Sequence, residues 1–205
     1  SPTLAAGTAH AVFTVERAEP LPEISGCAYV MRHDATGARV MWLACADSNK
    51  AFAISFKTPP ANDTGVFHIL EHSVLCGSDR FPVKEPFVHL LKSSMQTFLN
   101  ALTFPDKTMY PVASTNDRDL ENLMDIYLDA VLHPAIYRRQ RIFEQEGWHY
   151  EVDASRADAP LTLNGVVYNE MKGALSTPEE ILINGMMRSL FGQSPYGFVS
   201  GGDPE

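Results

Sequence analysis

Two histidines four residues apart, with a glutamate beside the second, could do chemistry: His68-Ile-Leu-Glu71-His72. On a helix, positions four apart lie on one face, one turn above the other, so both imidazoles can reach the same ion. Neutral imidazole suits zinc, and a catalytic zinc site keeps three protein ligands and one place for water. Glu71 follows His68 by three residues and adjoins His72. Its carboxylate can therefore approach that water and act as general base. The order His-x-x-Glu-His reverses the commoner His-Glu-x-x-His of zinc peptidases. So short a motif also arises by chance and needs support from its surroundings. The competing reading is a surface helix with two histidines on its polar face. Phe67, Leu70 and Val74 argue against it, because they predict a largely buried helix, where charge needs a partner.

A third ligand should be acidic, downstream and inward-facing. Glu144 and Glu146 lie in a charged stretch that reads as exposed, and Glu179 and Glu180 are accounted for by helix capping. Glu170 differs. Within Gly165-Val-Val-Tyr-Asn-Glu-Met-Lys-Gly173 it shares a helix face with Val166 and Ala174. A carboxylate on such an apolar face is costly unless it is paired or bound to a cation. A buried ion pair with Lys172 or an arginine is the alternative. Cys76, one turn beyond His72, reads as a small buried thiol rather than a fourth ligand. His33, His89, His133 and His149 have no partner at ligand spacing, and Trp148 with the other aromatics reads as core.

These residues depend on the elements that position them. Short β-like runs at Val12–Val15, Cys27–His33, Arg39–Ala46 and Ala51–Lys57 are separated by turn residues such as Asp34-Ala-Thr-Gly37, and predict antiparallel hairpins. Residues 1–11 are a loose lead-in, and 12–205 form one domain. The period then becomes helical: Val66, Phe67, Leu70, Val74 and Leu75, stopping at Gly77. A short helix is expected at Phe87–Leu91, with strands at Thr97–Ala101 and Met109–Ser114. Asn116 caps a helix to Leu132 whose first turn carries Asp117 and Asp119. Asp153–Pro160 reads as a loop, Val166–Leu175 as a helix, and Thr177-Pro178-Glu179-Glu180 as the capped start of another. Strands and helices mix without regular βαβ alternation. The expected class is α+β, a mainly antiparallel sheet packed against helices.

The 205 residues are 45% apolar, enough for a core, and carry a net charge of −9 without a basic cluster, which excludes a nucleic-acid partner. No apolar run is long enough to cross a membrane, and no membrane partner is expected. Cys27, Cys45 and Cys76 form an odd, scattered set that suits a reducing compartment, so the expected location is bacterial cytoplasm, or a mitochondrial matrix or other organelle.

The stretch His68-Ile-Leu-Glu-His-Ser-Val-Leu-Cys-Gly-Ser78 and the one around Glu170 resemble the pitrilysin/insulysin superfamily of zinc peptidases, particularly its presequence-protease and falcilysin branch. Further matching stretches are Phe56–Pro60, Pro82–Phe87, Phe98–Thr103, Pro105–Thr108, Tyr110–Ser114, Glu146–Trp148 and Ser200–Pro204. The long gap between His72 and Glu170 fits that branch. The resemblance implies one Zn2+ per chain, and an enzyme several times longer that closes two halves around unfolded peptides. This chain would be most of its first domain. The resemblance also implies that Asn100 and Ala101 belong to an edge strand that binds substrate backbone; a turn or strand-end role for Asn100 stays open. The missing C-terminal half, as partner, would add an arginine and a tyrosine. The implied activity is zinc-dependent endopeptidase, with this piece alone nearly inactive. A non-catalytic peptide-binding or assembly member of the fold is the alternative, and the presence of all four site residues favours the enzyme.

Overall fold

A computed structural model describes residues 4–83 and 86–204. Lys84 and Glu85 of the Pro82–Phe87 stretch, the first three residues of the lead-in and Glu205 lie outside the described residues. The chain divides into two compact units, 1–48 and 49–205.

The first unit is an antiparallel meander of β1 (Ala9–His10), β2 (Phe13–Leu21), β3 (Gly26–His33) and β4 (Arg39–Ala44). Alternation along β3 buries Tyr29 and Met31, which pack with Val15 of β2. β2 extends well beyond the four residues expected, because its outward positions are Glu16, Arg17 and Glu19, which mask the strand signal. A register shift between Val15 and Arg17 marks a bulge there. Ala9–His10, within the stretch read as lead-in, pair with β2.

The expected series of hairpins stops at β4. In the second unit β5 (Lys50–Lys57) pairs instead with β8 (Lys107–Ser114) across the 49 residues 58–106, and β6 (Gln96–Leu99) and β7 (Leu102–Thr103) line the other side of β8. Helix α3 (Asp117–Leu132) covers this sheet, burying Leu123 and Tyr127 against Tyr110 and Val112. The Asn116 side chain caps it, accepting from the Asp119 N–H at 3.0 Å. Between β5 and β6 run α1 (Val66–Val74) and α2 (Pro86–Ser93). α1 ends three residues before Gly77.

After α3 come α4 (Gln140–Glu146), the hairpin β9 (His149–Glu151) and β10 (Thr162–Asn164), α5 (Val166–Ala174) and α6 (Pro178–Phe191). α6 starts as expected: Thr177 Oγ1 accepts from the Glu180 N–H and Pro178 takes the first position. α1, α4 and α5 meet around Ile69, Val167 and Met171. Two glycine contacts fix this junction. A Cβ on Gly165 would sit 2.1 Å from the Gly147 carbonyl oxygen, so the end of α4 and the start of α5 can cross only without one. Gly65, at φ 65°, lies against Gly202, at φ 101°, and a Cβ on either would strike Met171.

Candidate metal centre

The crossing of α1 and α5 brings His68, His72 and Glu170 together: one ligand atom from each lies within 4.8 Å of the others. Glu170 Oε2 stands 3.4 Å from His68 Nε2 and 3.5 Å from His72 Nε2. The two rings, 4.9 Å apart and nearly perpendicular, present their Nε2 atoms to the same point. Their outer nitrogens are engaged elsewhere. His68 Nδ1 is 2.8 Å from the Gly201 carbonyl oxygen, and His72 Nδ1 is 3.4 Å from Glu146 Oε2. Donating outward through Nδ1–H leaves each Nε2 lone pair facing inward, the state a metal needs.

Gly201 is held in place by the segment's own bonds. Asp63 accepts from the Val199 N–H at 2.7 Å and from Arg188 at 3.0 Å, and its backbone carbonyl accepts from the Asp203 N–H. Asp63 thereby ties residues 199–203 to the turn that starts α1.

Several expectations about burial are overturned. α1 buries Ile69, Glu71 and Ser73; of the three apolar positions that predict its burial, Leu70 is exposed, whereas Phe67 and Val74 are half-buried and Val74 packs against the sheet core. Glu170 lies on an exposed face with Val166 and Ala174, its side chain 51% accessible; the buried positions of α5 are Val167 and Met171. Desolvation therefore gives no reason for Glu170 to bind a cation. Its placement between two imidazoles does. Trp148, read as core, is exposed too, with Phe143 and Tyr150 around it.

Glu146, set aside as exposed, is buried. The His72 hydrogen bond, against the opposing effect of burial, holds its carboxyl below the usual range, with help from Cys76 and Gln145. Burial alone would lower the His72 pKa, but hydrogen bonding to Glu146 and the charges of Glu170, Glu71 and Glu146 push it up. A signal existed: Ile142 and Glu146 are four apart, and the inward Ile142 fixes the side on which Glu146 must lie. Cys76 is half-buried and its thiol donates to the His72 carbonyl at 3.5 Å. It does not belong to the ligand group.

Glu71 is buried beside this group, and its Oε2 accepts from the Thr103 hydroxyl at 2.5 Å. Asn100 and Ala101 fall in the break between β6 and β7. The Asn100 N–H donates to the Pro111 carbonyl, and its side-chain oxygen accepts from the Ala101 N–H at 2.9 Å.

Comparison with known proteins agrees with this architecture. Residues 57–181 match the family model described as insulinase (peptidase family M16). "Protein HypA" of Clostridium perfringens is 54% identical over 193 residues, covering 94% of this chain and 20% of that protein. "Presequence protease 1, chloroplastic/mitochondrial" of Arabidopsis thaliana is 51% identical over 187 residues, 91% of this chain and 17% of that protein. "Presequence protease, mitochondrial" of Mus musculus is 44% identical, with 94% and 18% covered. The crystal structure of pitrilysin shares the fold, with a TM-score of 0.62 at 18% identity, over 91% of this chain and 19% of that one. The chain belongs to the insulinase family of metallopeptidases, M16. Within it, presequence proteases are among its close relatives, and it spans about a fifth of their length.

Proposed function

We propose that this chain holds the metal and the general base of a zinc-dependent endopeptidase that cleaves unfolded peptides. The observation that carries the reading is the convergence of His68, His72 and Glu170 beside the buried Glu71. Two imidazoles and a carboxylate match the donor set of a catalytic zinc site, and the outward bonds of both Nδ1 atoms suit Nε2 ligation. Zinc bound there supplies Lewis acidity to water and to the scissile carbonyl at neutral pH.

The chain's own residues do the rest. His68, His72 and Glu170 hold the ion, and Glu146 and the Gly201 carbonyl orient the rings. Glu71 takes the proton of the attacking water on its carboxylate and passes it to the departing amine. Asn100 and Ala101, on the outer edge of the sheet, lie where an extended peptide could add its backbone. We assign the domain to residues 12–205, with 1–11 as lead-in. The relatives' additional length would supply the opposing wall and an oxyanion donor. The setting is a bacterial cytoplasm or an organelle matrix; among the described residues no helix is long and apolar enough to cross a membrane.

A fluorogenic unstructured peptide tests this. These 205 residues, loaded with zinc, should cleave it slowly, because one missing oxyanion donor costs about 10²–10³ in rate. Adding a separately made C-terminal half should restore turnover, and a chelator should abolish it. Full turnover by the zinc-loaded chain alone, or chelator-resistant turnover, contradicts the proposal.

A further inference from the structure

Glu71 is buried, and among the described residues its carboxylate has one hydrogen-bond partner, the Thr103 hydroxyl. That partner comes from the sheet edge, not from the helices that carry the ligands. β7 pairs with β8 through Leu102 with Met109 and Thr103 with Thr108, and the Phe104 N–H donates to the Lys107 carbonyl at 2.8 Å, so the turn closes immediately after Thr103. A slip of one residue in this register would turn the hydroxyl to the opposite face. Threonine is β-branched and stiff at χ1, so the backbone pairing also fixes where its oxygen points. β5 pairs along the whole of β8, which places β6 and β7 on its other side as one of the sheet's two edges among the described residues.

Resting on the assignment of Glu71 as base, we propose that Thr103 is a positioning residue for this reaction. Its hydroxyl clamps Glu71 Oε2 and leaves Oε1 to accept the water's proton: the water O–H bond breaks and the Oε1–H bond forms. The clamp also ties the base to the edge that carries Asn100 and Ala101. A peptide paired on that edge is then held in a fixed relation to the group that activates water. A general base that swings away from the reacting atoms loses rate without losing substrate affinity.

Thr103→Val keeps the side-chain volume and removes the donor; Thr103→Ser keeps the donor. In the full-length enzyme, Thr103→Val should lower kcat roughly 10- to 100-fold with KM within about twofold and metal content unchanged. Thr103→Ser should recover most of the loss. In metal-free protein, 13C NMR should show the Glu71 side chain passing from one rotamer to averaging in Thr103→Val. An unchanged kcat in Thr103→Val, a serine variant no better than valine, or a change confined to KM overturns the proposal. If the valine variant fails to fold, the same comparison between Thr103→Ser and Thr103→Ala decides it. Glu71→Gln separates the two levels. Normal turnover in Glu71→Gln removes the base assignment and this proposal with it. Normal turnover in Thr103→Val alone removes only the clamp.

Discussion

On α1, each imidazole of the proposed centre is anchored at its outer nitrogen, His68 by a backbone carbonyl and His72 by a buried carboxylate, and the base between them is anchored by Thr103. On α5, Glu170 projects from an exposed face, and among the described residues its ion-pair contacts are the two imidazoles. One helix is organised by packing and hydrogen bonds that exist without an ion, whereas Glu170 relies on what sits between it and the rings. Orienting partners of metal ligands are cheap to keep when they also satisfy buried polar groups. A carboxylate in water has no such second use. Affinity for the ion and stability of the fold should therefore separate on α5 and travel together on α1.

Glu170→Ala gives the largest expected separation. Zinc affinity should fall by more than the roughly 10- to 100-fold typical of losing an outer partner, while the stability of the metal-free protein stays within about 0.5 kcal/mol. Chelator competition and denaturant melts measure the two. The parent should gain about 2.7 kcal/mol at zinc 100-fold above its Kd, and the variant should gain almost nothing. A large loss of metal-free stability in Glu170→Ala would break the contrast.

Glu146→Ala probes the other side. It leaves His72 Nδ1 and the Gln145 amide without their acceptor. We expect zinc affinity to drop about 10- to 100-fold and metal-free stability to fall by about 1–3 kcal/mol. A variant that loses neither would mean that Glu146 only fills space.

Asp63→Ala should have the smallest effect. It frees the Val199 N–H and Arg188, loosening the segment that presents the Gly201 carbonyl to His68. Hydrogen exchange should quicken at Val199, with a stability loss of about 1 kcal/mol. The loss of zinc affinity should be smaller than for Glu146→Ala, because Gly65 and Gly202 still hold the segment by close packing.

The contrast also explains what the sequence could reveal. His68 and His72 were legible because helical spacing alone puts them on one face, and Glu170 because few acidic residues sat in a helix without a capping role. Val166, Glu170 and Ala174 do share a face, but that face is exposed, so no desolvation cost singles out Glu170. Glu146 was hidden by its charged neighbours, although Ile142 one turn earlier gave its direction. The Gly201 carbonyl could not be read at all, since a backbone atom 133 residues from its partner carries no sequence signal beyond two glycines in a row. Thr103 sits on a two-residue strand, too short for any period. The long-range β5–β8 pairing was missed for a related reason: hairpins are the local solution, and nothing within β5 announces a distant partner.

The division of labour between ligands and base is tested most directly by Glu71→Gln in the full-length enzyme, with zinc content and turnover measured on the same sample. The amide keeps the shape of the side chain and cannot accept a proton. Zinc should remain at the parent's level, because Glu71 does not belong to the ligand group. Turnover of an unstructured peptide should fall by at least the roughly 10²–10⁴-fold that general-base loss brings. Near-parental turnover with zinc in place would contradict the assignment of Glu71, and loss of zinc would make it a ligand rather than the base.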